Sequence, residues 1–161
     1  MINLIRKADV KENDVITELV RKTIEAVYPQ YYPAGAVDFF LAHHKPEKIL
    51  ADVKAGKVYV LEEDGIIAGT VTIDGNGIAR LFVEPSGQGC GLGRRLMDFA
   101  ENKIFEYSET VRIDSSLPAK SMYINRGYRE KEYRKIRTGN GDFLCYDIME
   151  KNIAKEKNYV Y

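Results

Sequence analysis

The chain has 161 residues, 45% apolar and 30% charged, which fits one domain with a sizeable core and excludes a disordered tail protein or a collagen-like chain. Lys plus Arg is 24 and Asp plus Glu is 24, and neither half of the chain is polybasic; this argues against nucleic acid or an anionic membrane as the main partner. Two cysteines, Cys90 and Cys145, make neither a disulfide framework nor a zinc site, and with no apolar leader and no run approaching the roughly 18–20 residues of a membrane span, the expectation is a soluble cytoplasmic domain.

In chain order, Ile2, Leu4 and Ile5 read as a short strand. From Asp14, apolar residues Ile16, Leu19, Val20, Ile24 and Val27 recur at helical spacing. The segment Tyr28-Pro29-Gln30-Tyr31-Tyr32-Pro33 breaks that helix with two prolines in six residues. A second helix carries Val37, Phe40 and Leu41, and a third starts at Pro46 and runs to Gly56. The period then changes. Val58 to Leu61 is a strand, Glu63-Asp64-Gly65 a hairpin turn, and Ile67, Gly69, Val71 and Ile73 alternate through the next strand. A turn at Asp74 to Gly77 leads into a strand over Ile78 to Val83, which Pro85 ends. A helix follows Gly93, then a strand at Val111 to Ile113, then a helix over Leu117 to Arg126 with Gly127 as its C-terminal cap. Tyr128 to Arg137 and Phe143 to Met149 read as two strands around Gly139-Asn140-Gly141. The order β, α, α, α, β, β, β, α, β, α, β, β predicts an α/β domain over residues 1–150 with a mixed, mostly antiparallel sheet, and a polar tail over 151–161.

The most informative segment is Leu81-Phe82-Val83-Glu84-Pro85-Ser86-Gly87-Gln88-Gly89-Cys90-Gly91-Leu92-Gly93-Arg94-Arg95. A strand runs into a loop that opens a helix, with glycine at every second position from 87 to 93. Each glycine costs about 1 kcal/mol in a helix interior relative to alanine, so four need a reason. A loop without Cβ atoms lets another group approach the backbone, and the free N–H groups of a helix mouth attract an anion. Arg94 and Arg95 oppose the helix dipole unless an anion sits there. The plainer alternative is a glycine-rich surface connection with two solvated arginines. The spacing fits neither the dinucleotide fingerprint, whose third glycine would fall on Leu92 or Arg94, nor a phosphate loop ending in Gly-Lys-Ser/Thr. A nucleotide-binding domain of another fold is therefore a distant alternative.

These residues resemble the GCN5-related N-acetyltransferases (GNAT). That family's phosphate loop reads Gln/Arg-x-x-Gly-x-Gly/Ala after a strand ending in Val-x-Pro. Here Val83-Glu84-Pro85 precedes Gln88-Gly89-Cys90-Gly91-Leu92-Gly93. A second family segment, Ala-x-x-x-Tyr-x-x-x-Gly-Phe/Tyr, matches Ala119 to Tyr128. The resemblance spans roughly residues 2–150. It implies helices on both sheet faces, a V-shaped notch between two central parallel strands, and acetyl-coenzyme A as cosubstrate without a metal. It places the pyrophosphate on the amides of Gln88, Gly89, Cys90, Gly91, Leu92, Gly93 and Arg94, and the pantetheine arm beside Leu81, Phe82 and Val83. Tyr123 becomes the candidate general acid toward the departing thiolate, a role a protonated phenol suits; packing a helix on the sheet is its plainer role. Ser116 stands where many members have an asparagine that contacts pantetheine; capping the helix near Leu117 is its equal alternative.

The implied reaction is acetyl transfer to an amine of a small molecule or peptide, by direct attack in a ternary complex. The alternative is a non-catalytic acyl-coenzyme A-binding or protein-interaction module of the same fold. Ala79 motivates it, because some members carry the catalytic acid there. Glu84, Asp114, His43 and His44 are weaker options, the adjacent histidines reading as surface groups, and no base is assigned. Cys90 at a helix mouth near arginines has the setting of a lowered thiol pKa but no identifiable partner, so a small loop residue is the simpler reading. The aromatic segment Tyr28 to Pro33 is either a wall of the acceptor pocket or a packed corner. Homodimers are common in the family.

Overall fold

A computed structural model describes residues 3–153; Ile2 and the tail from residue 154 lie outside the described residues. The element order is the predicted one: β1 (Asn3–Lys7), α1 (Asn13–Val27), α2 (Ala34–His43), α3 (Pro46–Lys54), β2 (Val58–Glu63), β3 (Ile66–Asp74), β4 (Gly77–Val83), α4 (Leu92–Ile104), β5 (Thr110–Ser115), α5 (Lys120–Asn125), β6 (Arg129–Arg137) and β7 (Phe143–Asn152). The strands form one seven-stranded sheet in the order β1-β2-β3-β4-β5-β7-β6. Only β4 and β5 run parallel; every other neighbouring pair is antiparallel. The tight turn between β2 and β3 places Asp64 and Gly65 at positive φ, as a two-residue hairpin requires.

The helices divide between the two faces. On one, Leu92, Leu96, Met97, Ala100 and Ile104 of α4 pack with Val71, Ile113, Met149 and Tyr123. On the other, Ile16, Leu19, Val20 and Ile24 of α1 pack with Ile49, Val58, Val60, Phe82 and Leu144. Both stripes follow the 3.6-residue period read in the sequence. The aromatic segment after α1 belongs to the second core. Tyr28 and Tyr32 are buried, and their rings lie 4.7 and 5.1 Å from Phe40, whereas Tyr31 stays exposed.

Two departures from regularity position the site. First, β4 and β5 pair only at Gly77 with Arg112 and Ile78 with Ile113. Beyond those two pairs β4 continues to Val83 and β5 to Ser115 unpaired with each other, so the sheet opens into a notch. Second, the β3–β4 register shifts between Thr70 and Thr72, because β4 holds an extra residue opposite Val71. Arg80 takes the strain of this bulge at φ +48°, a left-handed conformation that costs a non-glycine residue about 1–3 kcal/mol.

The helix α5 is shorter than the predicted Leu117 to Arg126. Its N-terminal cap is Ala119, so Leu117 and Pro118 lie in the preceding turn. Its other end is as predicted. Gly127 sits at φ +95°, and the N–H groups of Gly127 and Tyr128 bond back to the carbonyls of Ile124 and Tyr123 at 3.0 and 3.1 Å. This paired closure ends the helix one turn past Tyr123 and fixes that residue's backbone.

Candidate active site

A cleft of about 900 Å³ passes through the notch, from the mouth of α4 on one side to α2 on the other. At the α4 end the glycine loop is open. Gly89 and Gly91 both have φ +81°, and a Cβ at either would meet no atom within 4 Å. The amides of Gly89, Cys90, Gly91, Leu92, Gly93 and Arg94 make no hydrogen bond to the described residues, and the first helical bond in this region is Arg95 N–H to the Gly91 carbonyl at 3.1 Å. Six consecutive donors at a helix mouth beside an open loop are the arrangement that holds a diphosphate. Gln88 differs from its neighbours. Its N–H turns inward to the Pro85 carbonyl at 3.4 Å, and its side-chain amide donates to the Val83 carbonyl at 3.3 Å. Arg94 lines the cleft and has no carboxylate partner among the described residues. Cys90 is exposed, with its sulfur 4.0 Å from the Gln88 carbonyl and no histidine or carboxylate bonded to it.

Along the notch, Leu81, Phe82 and Val83 form the β4 wall, with Ser116 and Met122 opposite. Ser116 does not cap α5, whose N-cap lies three residues later; its hydroxyl lies against the Tyr28 phenol instead. The neighbouring Leu117 N–H donates to the Tyr32 hydroxyl at 2.6 Å. The aromatic segment therefore packs the core, while Tyr28 also lines the cleft and Tyr32 ties down the β5–α5 turn. Tyr123 projects from α5 into the cleft and is 5% exposed. No described side chain bonds its hydroxyl. Burial, and secondarily the nearby Tyr28, push its phenol well above its usual value, so it is protonated throughout the neutral range.

The α2 end is aromatic. Phe39, Phe40, His43 and His44 face Phe82 of β4 and Leu144 of β7. His44 is not the surface group expected from its place at a helix end. Its ring meets Phe82 edge-on at 5.5 Å, and its Nδ1 accepts from Arg80 Nε at 3.1 Å. Burial, reinforced by the Arg80 charge, pulls its pKa down to about 3, so it is neutral. His43 stacks parallel on Phe39 at 5.9 Å at the cleft mouth, and burial lowers its pKa too. Ala79 is exposed within the cleft and brings no acid. Glu84 pairs with Lys22 at 2.5 Å and Asp114 with Arg112 at 3.6 Å. Among the described residues, no group of three His, Cys, Asp or Glu side chains is placed to hold a metal.

The family model described as an acetyltransferase (GNAT) domain matches residues 27–143. The chain belongs to the GNAT acetyltransferase family. The match covers the notch, the glycine loop and Tyr123, the segments whose geometry has just been described. Solved GNAT structures share the fold over nearly the whole chain. A GCN5-related N-acetyltransferase from Rhodopseudomonas palustris superposes with a TM-score of 0.85 at 21% identity, covering 94% of this chain and 96% of that one. PaiA N-acetyltransferase from Thermoplasma acidophilum, solved with coenzyme A, gives 0.74 at 20% identity, over 94% and 99% of the two chains. YncA from Salmonella typhimurium, solved with acetyl-coenzyme A, gives 0.72 at 18% identity, over 95% of each chain. None of the functionally curated proteins matches the sequence. No helix among the described residues is long and apolar enough to cross a membrane.

Proposed function

We propose that this GNAT member transfers the acetyl group of acetyl-coenzyme A to an amine of a small molecule or peptide, by direct attack in a ternary complex. The observation that carries this reading is the run of six unbonded amides from Gly89 to Arg94 opening onto a notch that leads to Tyr123. The loop holds the pyrophosphate and Arg94 adds a cation. The unpaired edge of β4 at Leu81 to Val83 receives the pantetheine arm, with Ser116 across from it. The acceptor enters from the α2 end. Its nitrogen, with a free electron pair, forms a bond to the carbonyl carbon of the thioester, and the carbon–sulfur bond breaks. Tyr123 gives its proton to the departing sulfur, which a buried, protonated phenol can do at neutral pH; the surplus proton of the attacking nitrogen passes to water, and water returns a proton to the phenolate, so each turnover yields one amide and one free thiol. The cytoplasm supplies acetyl-coenzyme A and keeps Cys90 and Cys145 reduced.

Free thiol should accumulate when acetyl-coenzyme A is supplied with a broad panel of amines. Tyr123→Phe should lower kcat by about 100-fold and leave coenzyme A affinity unchanged, because only the proton donor is lost. Tight binding of acetyl-coenzyme A with no thiol release from any amine would favour the non-catalytic module that Ala79 suggested. A Tyr123→Phe variant with full turnover would remove the assigned role of the phenol.

A further inference from the structure

The acceptor end of the cleft holds one group that the acetyl-transfer reading leaves unused, the guanidinium of Arg80. Its side chain is only 7% exposed, yet it lines the cleft. The bulge in β4 puts it on the face of the sheet covered by α1 to α3, beside Phe82. Nη1 donates to Asp52 Oδ2 at 2.9 Å and, at 3.4 Å, to Thr72 Oγ1. Nε is spent on His44 Nδ1, a neutral partner. The remaining amino group, Nη2, has no partner among the described residues. A guanidinium carries donors in a planar fork suited to an oxyanion, and Asp52 engages one amino group only. Thr72, His44 and Asp52 hold the fork rigid, and the surrounding wall of Phe39, Phe40 and Phe82 offers no competing acceptor.

We infer that Arg80 is a specificity-determining residue that receives a carboxylate on the acceptor, so that the preferred substrates are amino acids rather than simple amines or polyamines. The inference rests on the acetyl-transfer reading and adds the acceptor's chemical class. A polyamine would bring a second cation toward the like charge of Arg80, whereas an amino acid brings an anion to the free side of the fork.

The test compares matched acceptors in the thiol-release assay: α-, β- and γ-amino acids with aliphatic or aromatic side chains, each against the amine lacking the carboxylate and against its carboxamide. Wild type should favour the carboxylated member of at least one series by tenfold or more in kcat/KM. In the double variant Arg80→Gln/Asp52→Asn, which keeps the pair's charge balanced, that preference should vanish while the KM for acetyl-coenzyme A holds. Asp52→Asn alone separates recognition from a structural role. It removes the competing anion and should lower the KM of the carboxylated acceptor, whereas a structural ion pair predicts that both variants impair the enzyme alike. Preference for the amines lacking a carboxylate, or an acceptor profile unmoved in the double variant, overturns the inference and leaves acetyl transfer standing. Absence of thiol release from every series overturns both.

Discussion

His44 shows how a single side chain is tuned by what surrounds it. Half-buried against Phe82 and accepting from Arg80, it has its pKa pulled down to about 3, below the ordinary value of about 6.5. The folded chain thus binds fewer protons than the unfolded chain between those values. The stability this neutral ring allows is complete above about pH 6.5 and is lost as pH falls toward 3. His44→Asn keeps an acceptor for Arg80 but cannot titrate. Its melting temperature should therefore fall less steeply than wild type between pH 7 and pH 4, and parallel curves would show that His44 contributes nothing to acid sensitivity. At the same scale, Tyr123 and the glycine loop were legible in the sequence because their motifs are local. Arg80 was not. Its placement depends on a bulge and on Asp52, 28 residues away, and the one local hint is a charged residue within an otherwise apolar strand.

Among the elements, the β6–β7 turn docks on α2, the helix whose Phe39, Phe40 and His43 line one end of the cleft. The Gly35 N–H donates to Asp142 Oδ2 at 2.9 Å, and Asn140 bridges Thr138 and Asp142 at 2.7 and 2.9 Å. A Cβ on Gly35 would stand 1.9 Å from Asn140 Oδ1, so this glycine is required by close approach. Gly35→Ala should destabilise the fold by about 1–3 kcal/mol and raise the acceptor KM while leaving coenzyme A affinity intact. Equal losses at both ends of the cleft would contradict the separation of the two sites. Glycine and asparagine marked this hairpin in the sequence, but nothing in the segment said where its tip would land. Helix α5 is shorter than its sequence pattern suggests for a similar reason. Its start is governed by Pro118 and by the Tyr32 hydroxyl that takes the Leu117 N–H, a contact spanning 85 residues.

For the whole molecule, periodicity together with the turn residues was enough to read all twelve strands and helices in order, because most apolar stripes face one of two cores and the exposed β6 is marked by the Gly-Asn-Gly turn after it. It was not enough to show the notch. β4 carries an ordinary strand pattern up to Val83, and its separation from β5 after Ile78 coincides with the bulge that holds Arg80 at positive φ. The notch joins the two faces of the sheet, so a thioester held from the α4 side can meet an amine arriving from the α2 side. The outer strand β6 is exposed at nearly every position and carries Arg129, Lys131, Arg134, Lys135 and Arg137, charges that guard a free edge against pairing with another sheet.

All of this turns on the loop before α4 being a receptor for a diphosphate. Amide resonances report that directly in a chain of this size. Titration with coenzyme A should move the N–H signals of Gly89 through Arg94 far more than those of the inward-turned Gly87 and Gln88, and saturate at one ligand per chain. Unmoved signals across Gly89 to Arg94, with coenzyme A bound elsewhere or not at all, would contradict the account.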